Sequence, residues 1–298
     1  MAIFLVIGIC LLAGMGLRRF SEFPENTGEV LNLYVIWIAL PAVVLYHIPQ
    51  LQLNIEALYP FVFAWGLLII VAVLLIVLSR VLQWSQQVTC ALLILTPLGN
   101  TSFVGFPLVE ALLGKEALGY AILYDQTGSF LGLVIYATVV LAVLGGVRTR
   151  PVEVVSKIIL FPPFIALLLG LLLGQIGVPL ALNQALAVVA TTLVPVVMVA
   201  VGYQWQFRLA TEFQGPLLVG LLIKCVLMPA LAWLGISQLS LTPLLEHTIV
   251  LEAGMAPMIS AGALVMSHHQ ARPLASAMVG YGLLLSFITV PVWHWLIV

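Results

Sequence analysis

Two proline-broken apolar segments carry several of the polar residues of this chain that could do chemistry. The first, residues 96–107, reads TPLGNTSFVGFP, and the second, residues 252–262, reads EAGMAPMISAG. Proline removes a backbone donor and glycine allows non-helical geometry, so both segments are predicted to be unwound. Inside a membrane, unwound backbone survives only where protein or a wet cavity satisfies it. The helix N-termini that follow such breaks favour negative charge, which predicts a pocket for a carboxylate.

Three charged residues fall inside apolar segments, namely Asp125, Lys224 and Glu252. A charge at the bilayer centre costs about 2.5 to 3.5 kcal/mol on insertion scales, which indicates that such residues have a use. For Lys224 two interpretations stay open. It is a countercharge for the substrate, or it forms a static ion pair with Asp125 or Glu252. A buried lysine also offers a route to proton coupling.

Asn100, Thr101 and Ser102 would add neutral donors beside the carboxylate. Asn100 could also serve only as the cap of an interrupted helix, and the two roles are compatible. The predicted substrate- and ion-binding residues are Asn100, Thr101, Ser102, Pro107, Asp125, Gln126, Lys224, Glu252, Met255 and Pro257.

Other chemistry has little support in the sequence. The histidines lack metal-ligand spacing, and no nucleophile is paired with a base, so a metal centre or an enzyme is not expected. No cofactor is predicted, although coupling to protons or sodium is possible, with a sodium site near Glu252. With net charge −1 and no basic tract, nucleic acid is not an expected partner.

Composition places these residues in a membrane. The chain has 298 residues, of which 63% are hydrophobic and 7% charged. This composition predicts an all-α polytopic membrane protein. Ten apolar runs are the predicted spans: 2–17, 30–48, 57–79, 88–113, 119–147, 158–174, 185–203, 215–236, 247–266 and 274–298.

Loop cations predict the orientation of the spans. Eight of the ten Lys and Arg residues lie in odd-numbered connections, and only Lys115 lies in an even-numbered one. By the positive-inside rule, the odd connections are cytoplasmic and both termini face outward. The eight are Arg18, Arg19, Arg80, Arg148, Arg150, Lys157, Arg208 and Arg272.

The proline pattern predicts that the chain is two inverted repeats of five spans. Pro41 and Pro107 are separated by 66 residues, and Pro195 and Pro257 by 62. Interrupted helices at matching places in inverted repeats are the sequence sign of a mid-membrane substrate site. The predicted division is a first repeat at 1–147, a cytoplasmic linker at 148–157 and a second repeat at 158–298.

The stretch 99–108, followed by Tyr124, Asp125 and Gln126, resembles spans four and five of the auxin efflux carrier family, the bacterial permeases related to plant PIN carriers. The surroundings of Pro41, Lys224 with Pro229, and Ala256-Pro257 fit the same family. The resemblance implies broken spans four and nine that cross, a scaffold of spans 1, 2, 6 and 7, and a transport bundle of spans 3–5 and 8–10. It further implies homodimers in the bacterial inner membrane and an elevator-type exporter of organic anions, such as carboxylates or auxin-like acids.

Alternatives remain open at this point. Glu252 and the residues up to Met255 also resemble span nine of bile acid sodium symporters, where a glutamate helps to hold sodium, but Ala256-Pro257 departs from the amide pair expected there. A sodium-coupled organic anion symporter is therefore one alternative. An ion channel, in which the broken spans line a continuous pore, is another.

Overall fold

The computed structural model describes residues 2–51, 54–146, 150–204 and 211–298. Arg148 and Arg208, two of the cations used to predict the orientation, lie outside these residues. Every regular element in the described part of the chain is helical. In chain order the helices are α1 (Ala2–Leu17), α2 (Thr27–Gln50), α3 (Ile55–Val81), α4 (Gln86–Leu95), α5 (Thr101–Leu113), α6 (Lys115–Leu144), α7 (Pro151–Ile159), α8 (Pro162–Ile176), α9 (Leu180–Gln204), α10 (Gln214–Ile236), α11 (Pro243–Ala253), α12 (Ile259–Ser267) and α13 (Arg272–Ile297).

Six helices of the described residues are long and apolar enough to cross a bilayer: α2, α3, α6, α9, α10 and α13. The pair α7 and α8, bent by 57°, makes a seventh span if it is counted as one. Helices α1, α4 and α5 are apolar but shorter. Each of the ten predicted apolar runs overlaps at least one of these helices, and the coarse prediction of an all-α polytopic membrane protein is confirmed.

The two proline-broken segments are interrupted in the structure. Helix α4 ends at Leu95 and α5 begins at Thr101, while α11 ends at Ala253 and α12 begins at Ile259. We call residues 96–100 the first break and residues 254–258 the second break.

The buried apolar side chains of the described residues form two clusters. The first joins α3, α4, the middle of α6 and α10 to α13. The second joins α1, α2, α8 and α9 to α5, the start of α6 and the second break. Helices α1 and α9 approach so closely that a Cβ added to Gly14 would lie 2.2 Å from the Val199 carbonyl oxygen. Small residues allow such backbone contact between membrane helices.

The segment predicted as a cytoplasmic linker is largely helical, because α7 begins at Pro151. Its residues are exposed or half-buried, and Val152, Val155 and Ile159 present apolar surface. The helix also carries Glu153 and Lys157, so it is amphipathic. The charged residues of this segment predict a linker in the sequence. Its apolar residues recur with the helical period and form a stripe along α7.

Candidate functional site

The two breaks lie side by side and are joined by main-chain atoms. They form a single antiparallel bridge outside any strand. The Asn100 N–H donates to the Ala256 carbonyl oxygen at 2.7 Å, and the Met258 N–H donates to the Leu98 carbonyl oxygen at 3.0 Å. Both α5 and α12 begin directly after this pairing, and the first N–H groups of a helix have no partner within it. The N-termini of two helices therefore start from one point.

Widened helical turns hold the polar side chains near the breaks. Residues 101–105, 124–130 and 223–227 are π-helical and carry Thr101, Asp125 and Lys224. Such turns are rare and are often found at functional sites.

Proline explains two of these three turns and a similar one in α2. A proline cannot donate to the carbonyl four residues back and clashes with it, so the residue before the proline bonds to the carbonyl five residues back instead. These bonds run from Leu40 to Val35 before Pro41, from Phe106 to Thr101 before Pro107, and from Met228 to Ile223 before Pro229. The turn 124–130 has no proline after it.

Asp125 is buried and accepts hydrogen bonds on both oxygens. The Thr101 hydroxyl donates to Oδ1 at 2.5 Å, and the Gln126 side-chain amide donates to Oδ2 at 2.6 Å. The Ser102 hydroxyl interacts with the same carboxylate. Asp125 therefore lies inside the protein and not at its surface. It ties α6 to the start of α5.

A cavity of about 90 Å³ lies beside the two paired breaks. Its polar lining comes from the first break, the starts of α5 and α12, and α6, and its apolar lining comes chiefly from α2, α6 and the residue before α8. The lining residues are Ile36, Leu40, Asn100, Ser102, Phe103, Asp125, Phe130, Leu133, Phe161, Met258 and Ser260. Liquid water occupies roughly 30 Å³ per molecule, so the cavity would hold about three waters or a small organic acid.

Asn100 presents an unused donor at this cavity. Its side chain is 3% exposed, and its amide nitrogen has no hydrogen-bond partner among the described residues. The main-chain carbonyl oxygen of Asn100 accepts hydrogen bonds from the N–H groups of Val104 and Gly105. The backbone of Asn100 thus begins α5, while its side-chain amide nitrogen stays without a partner among the described residues. A buried amide without a partner costs about 1 to 3 kcal/mol, which a bound acceptor would recover.

Lys224 lies behind the first break. Its ammonium donates to the Ala253 carbonyl oxygen at 3.2 Å and lies 3.7 Å from the Met228 sulfur. A Cβ added to Gly99 would be 3.1 Å from the same nitrogen. Within the described chain Lys224 has no carboxylate within ion-pair distance, so the static pair with Asp125 or Glu252 is not formed in this conformation.

Glu252 lies at the end of α11, fully buried, and neither carboxylate oxygen has a hydrogen-bond partner in the described residues. It packs against the π-helical turn of α5. A Cβ added to Gly105 would lie 2.5 Å from Oε2, so only glycine leaves room for this carboxylate.

The predicted residues therefore fall into two groups. Asn100, Ser102 and Asp125 line the cavity, and Thr101 and Gln126 hold Asp125 in place. The other five are not among the cavity lining. Pro107 shapes the turn of α5, Pro257 packs against Gly282 of α13, Met255 is buried in the second apolar cluster, and Lys224 and Glu252 lie behind the breaks.

Sequence reasoning missed an aromatic side of the cavity. The rings of Phe130 and Phe161 stack with centroids 4.0 Å apart, and Phe164 lies 6.0 Å from Phe130. Ser260 was also missed as a lining residue, although it lies only three residues beyond Pro257. Phe161 carries no local signal in the sequence, because it comes from the bend between α7 and α8.

Interrupted apolar helices around a small, partly polar cavity define an integral membrane protein with the elements of a transporter. Residues 1–294 match the family model described as membrane transport protein. The chain belongs to this family, the auxin efflux carrier family, and the predicted membership is confirmed.

Curated relatives extend over nearly the whole chain. An uncharacterized transporter of Methanocaldococcus jannaschii is 21% identical over 311 residues, which covers 100% of this chain and 98% of the relative. An uncharacterized transporter of Methanothermobacter thermautotrophicus is 25% identical over 298 residues, covering 96% and 94%. The function shared with these proteins is membrane transport.

Proposed function

We propose that this protein is a secondary active transporter of small organic anions, above all small carboxylates, which it binds in the cavity at the crossing of the two breaks. The observation that supports this most directly is the free amide of Asn100 at that cavity. It lies beside two helix N-termini, whose N–H groups and positive partial charge suit a carboxylate.

Size and lining support small substrates. The cavity of about 90 Å³ combines Asn100, Ser102 and Ser260 with an apolar side that includes Phe130 and Phe161. Hydroxyl and amide groups would hold the acid group, and the aromatic side would cover a short carbon skeleton. An indole acid would need the stacked rings to separate.

The fold that we propose for this work has ten spans in two inverted repeats, with broken spans four (α4 and α5) and nine (α11 and α12). Spans 1, 2, 6 and 7 would form a scaffold, against which spans 3–5 and 8–10 move as an elevator. The first apolar cluster supports this division, since it consists wholly of bundle helices. The family resemblance adds export, a homodimer, and termini on the outer side of the cell membrane to this proposal.

Counterflow in proteoliposomes tests the proposal. The full-length protein is reconstituted with an unlabelled acid inside, and entry of the labelled acid is followed for acetate, pyruvate, succinate and indole-3-acetate. We expect saturable exchange of at least one small carboxylate, faster than exchange of indole-3-acetate. If no acid exchanges, or if flux is unsaturable and gives single-channel currents, the carrier proposal is wrong and the channel is favoured.

A further inference from the structure

Glu252 is a buried carboxylate that does not line the cavity, so substrate binding there assigns it no role. It is 0% exposed, and both of its oxygens lack a hydrogen-bond partner in the described part of the chain. Asp125, by contrast, accepts a donor on each oxygen at 2.5 and 2.6 Å. A buried ionised carboxylate without donors is among the most costly arrangements in a protein. Glu252 therefore needs a cation.

The surroundings of Glu252 leave little choice of cation. On one side the backbone of Gly105 lies against the carboxylate. The nearby ammonium of Lys224 is bonded to the carbonyl oxygen of Ala253, the next residue in the chain, and not to Glu252 itself.

The titratable groups that interact with Glu252 come from two neighbouring helices. They are Lys224 of α10 and both Tyr124 and Asp125 of α6. Further titratable side chains on the surrounding helices belong to other sites. Glu110 and Lys115 line a separate cavity, and His294 of α13 interacts with His247 near the beginning of α11.

The charges of this region determine what an anionic substrate requires. Among the described Asp, Glu, Lys, Arg and His residues, the buried ones are Asp125, Glu252 and Lys224. When all three are ionised their sum is −1, and a bound monocarboxylate would make it −2. One added monovalent cation restores −1. Loading an anion without a cation would place uncompensated charge in a low-dielectric interior.

We propose that Glu252 binds the coupling proton of this carrier, taking it up on a carboxylate oxygen when the organic anion enters the cavity and releasing it when the anion leaves. This proposal rests on the proposed function. A proton needs one oxygen, whereas sodium needs several oxygen ligands.

Proton and anion then stabilise each other, because each reduces the electrostatic cost of the other. By linkage, an anion that binds with one proton loses affinity about tenfold per pH unit once Glu252 is ionised in the empty carrier. The coupled species is the anion together with a proton. Net export would be driven by an outward gradient of the acid, and an inward proton gradient would drive uptake.

The test compares the wild type with Glu252→Gln, which imitates the protonated side chain permanently. The matched control is Glu246→Gln, on the same helix near its beginning and half-buried. For each panel acid that shows counterflow, affinity is measured across pH and uptake is driven by an imposed proton gradient, with sodium or with choline. We expect a tenfold loss of wild-type affinity per pH unit, a flat profile for Glu252→Gln, and a profile like the wild type for Glu246→Gln.

Net uptake driven by the proton gradient should be lost in Glu252→Gln while exchange continues, because a carrier fixed in the protonated form cannot return empty. Retained gradient-driven uptake would overturn the proposal, as would sodium dependence that Glu252→Gln removes. Failure of the wild type to exchange any acid would instead contradict the proposed function.

A second measurement does not depend on transport by the variant. On addition of the exchanging acid to purified wild-type protein, the difference infrared spectrum should show the carbonyl stretch of a newly protonated carboxyl, and Glu252→Gln should lack it. A band that persists in Glu252→Gln would move the proton to another group and overturn the proposal.

Discussion

At the scale of single residues, the proposed substrate site rests above all on the free amide of Asn100. We expect Asn100→Ala to lower kcat/KM for counterflow by more than about tenfold, because the bound acid loses a donor that costs about 1 to 3 kcal/mol to leave unpaired. The fold should persist, since Asn100 joins the breaks through its backbone. Asn183→Ala, on α9, is the control. Near-normal kinetics in Asn100→Ala would remove this residue from the site.

Lys224 is expected to set the pH at which the carrier loads. Its ammonium favours the ionised form of nearby Glu252. Without that positive charge, Glu252 holds its proton more tightly. For Lys224→Met we therefore expect the pH profile of substrate affinity to shift toward alkaline pH. Lys115→Met, at the exposed start of α6, should leave the profile in place. An unchanged profile in Lys224→Met, with unchanged affinity, would favour a purely structural lysine.

At the scale of helices, Pro107 positions the cavity residues indirectly. Because of this proline, the Phe106 N–H donates to the Thr101 carbonyl oxygen, five residues back. The longer hydrogen bond widens the helical turn that contains Thr101 and Ser102. In Pro107→Ala the missing donor returns, and we expect this turn to tighten and substrate affinity to fall about tenfold or more. The reconstituted variant is assayed by counterflow.

The matched control for Pro107→Ala is Pro216→Ala, in the first turn of α10. An N–H group at this place has no hydrogen-bond partner within the helix, so a proline there removes no helical bond. Its transport should be close to that of the wild type. Equal affinities in the wild type and Pro107→Ala would show that the π-helical turn does not depend on the proline.

The same helices show what could be predicted from the sequence. Proline and glycine reveal the two breaks because their effects on the backbone are local. The turn at 124–130 has no proline, and a single glycine, Gly128, does not distinguish it from an ordinary membrane helix, so the burial of Asp125 and its bonds to Thr101 and Gln126 could not be derived. The stack of Phe130 on Phe161 depends on how distant helices pack, which local patterns do not encode.

At the scale of the whole molecule, the elevator proposal requires relative motion between scaffold and bundle. Phe130 and Phe161 stack across that proposed boundary. With Cys10, Cys90 and Cys225 replaced, we expect oxidation of the Phe130→Cys, Phe161→Cys pair to stop transport and reduction to restore it. Transport by the oxidised pair is measured by counterflow, and cross-linking is checked by a mobility shift after cleavage between α6 and α8.

The control for this cross-link lies within the scaffold. The hydroxyls of Tyr34 and Thr192 are 2.9 Å apart and join α2 to α9. Oxidation of the Tyr34→Cys, Thr192→Cys pair should leave transport largely intact. Full activity in the oxidised Phe130→Cys, Phe161→Cys protein would contradict a moving boundary at this place.

The link between the two breaks has a consequence for how such proteins diverge. Because it consists of main-chain atoms from Asn100, Ala256, Met258 and Leu98, no exchange of side chains can delete it, apart from proline at one of the two donors. The side chains of the pocket can therefore be substituted one at a time during evolution while this main-chain link is kept. New substrate specificities can then arise gradually on an unchanged backbone frame, and an identity of 21 to 25% says little about whether two relatives transport the same substrate.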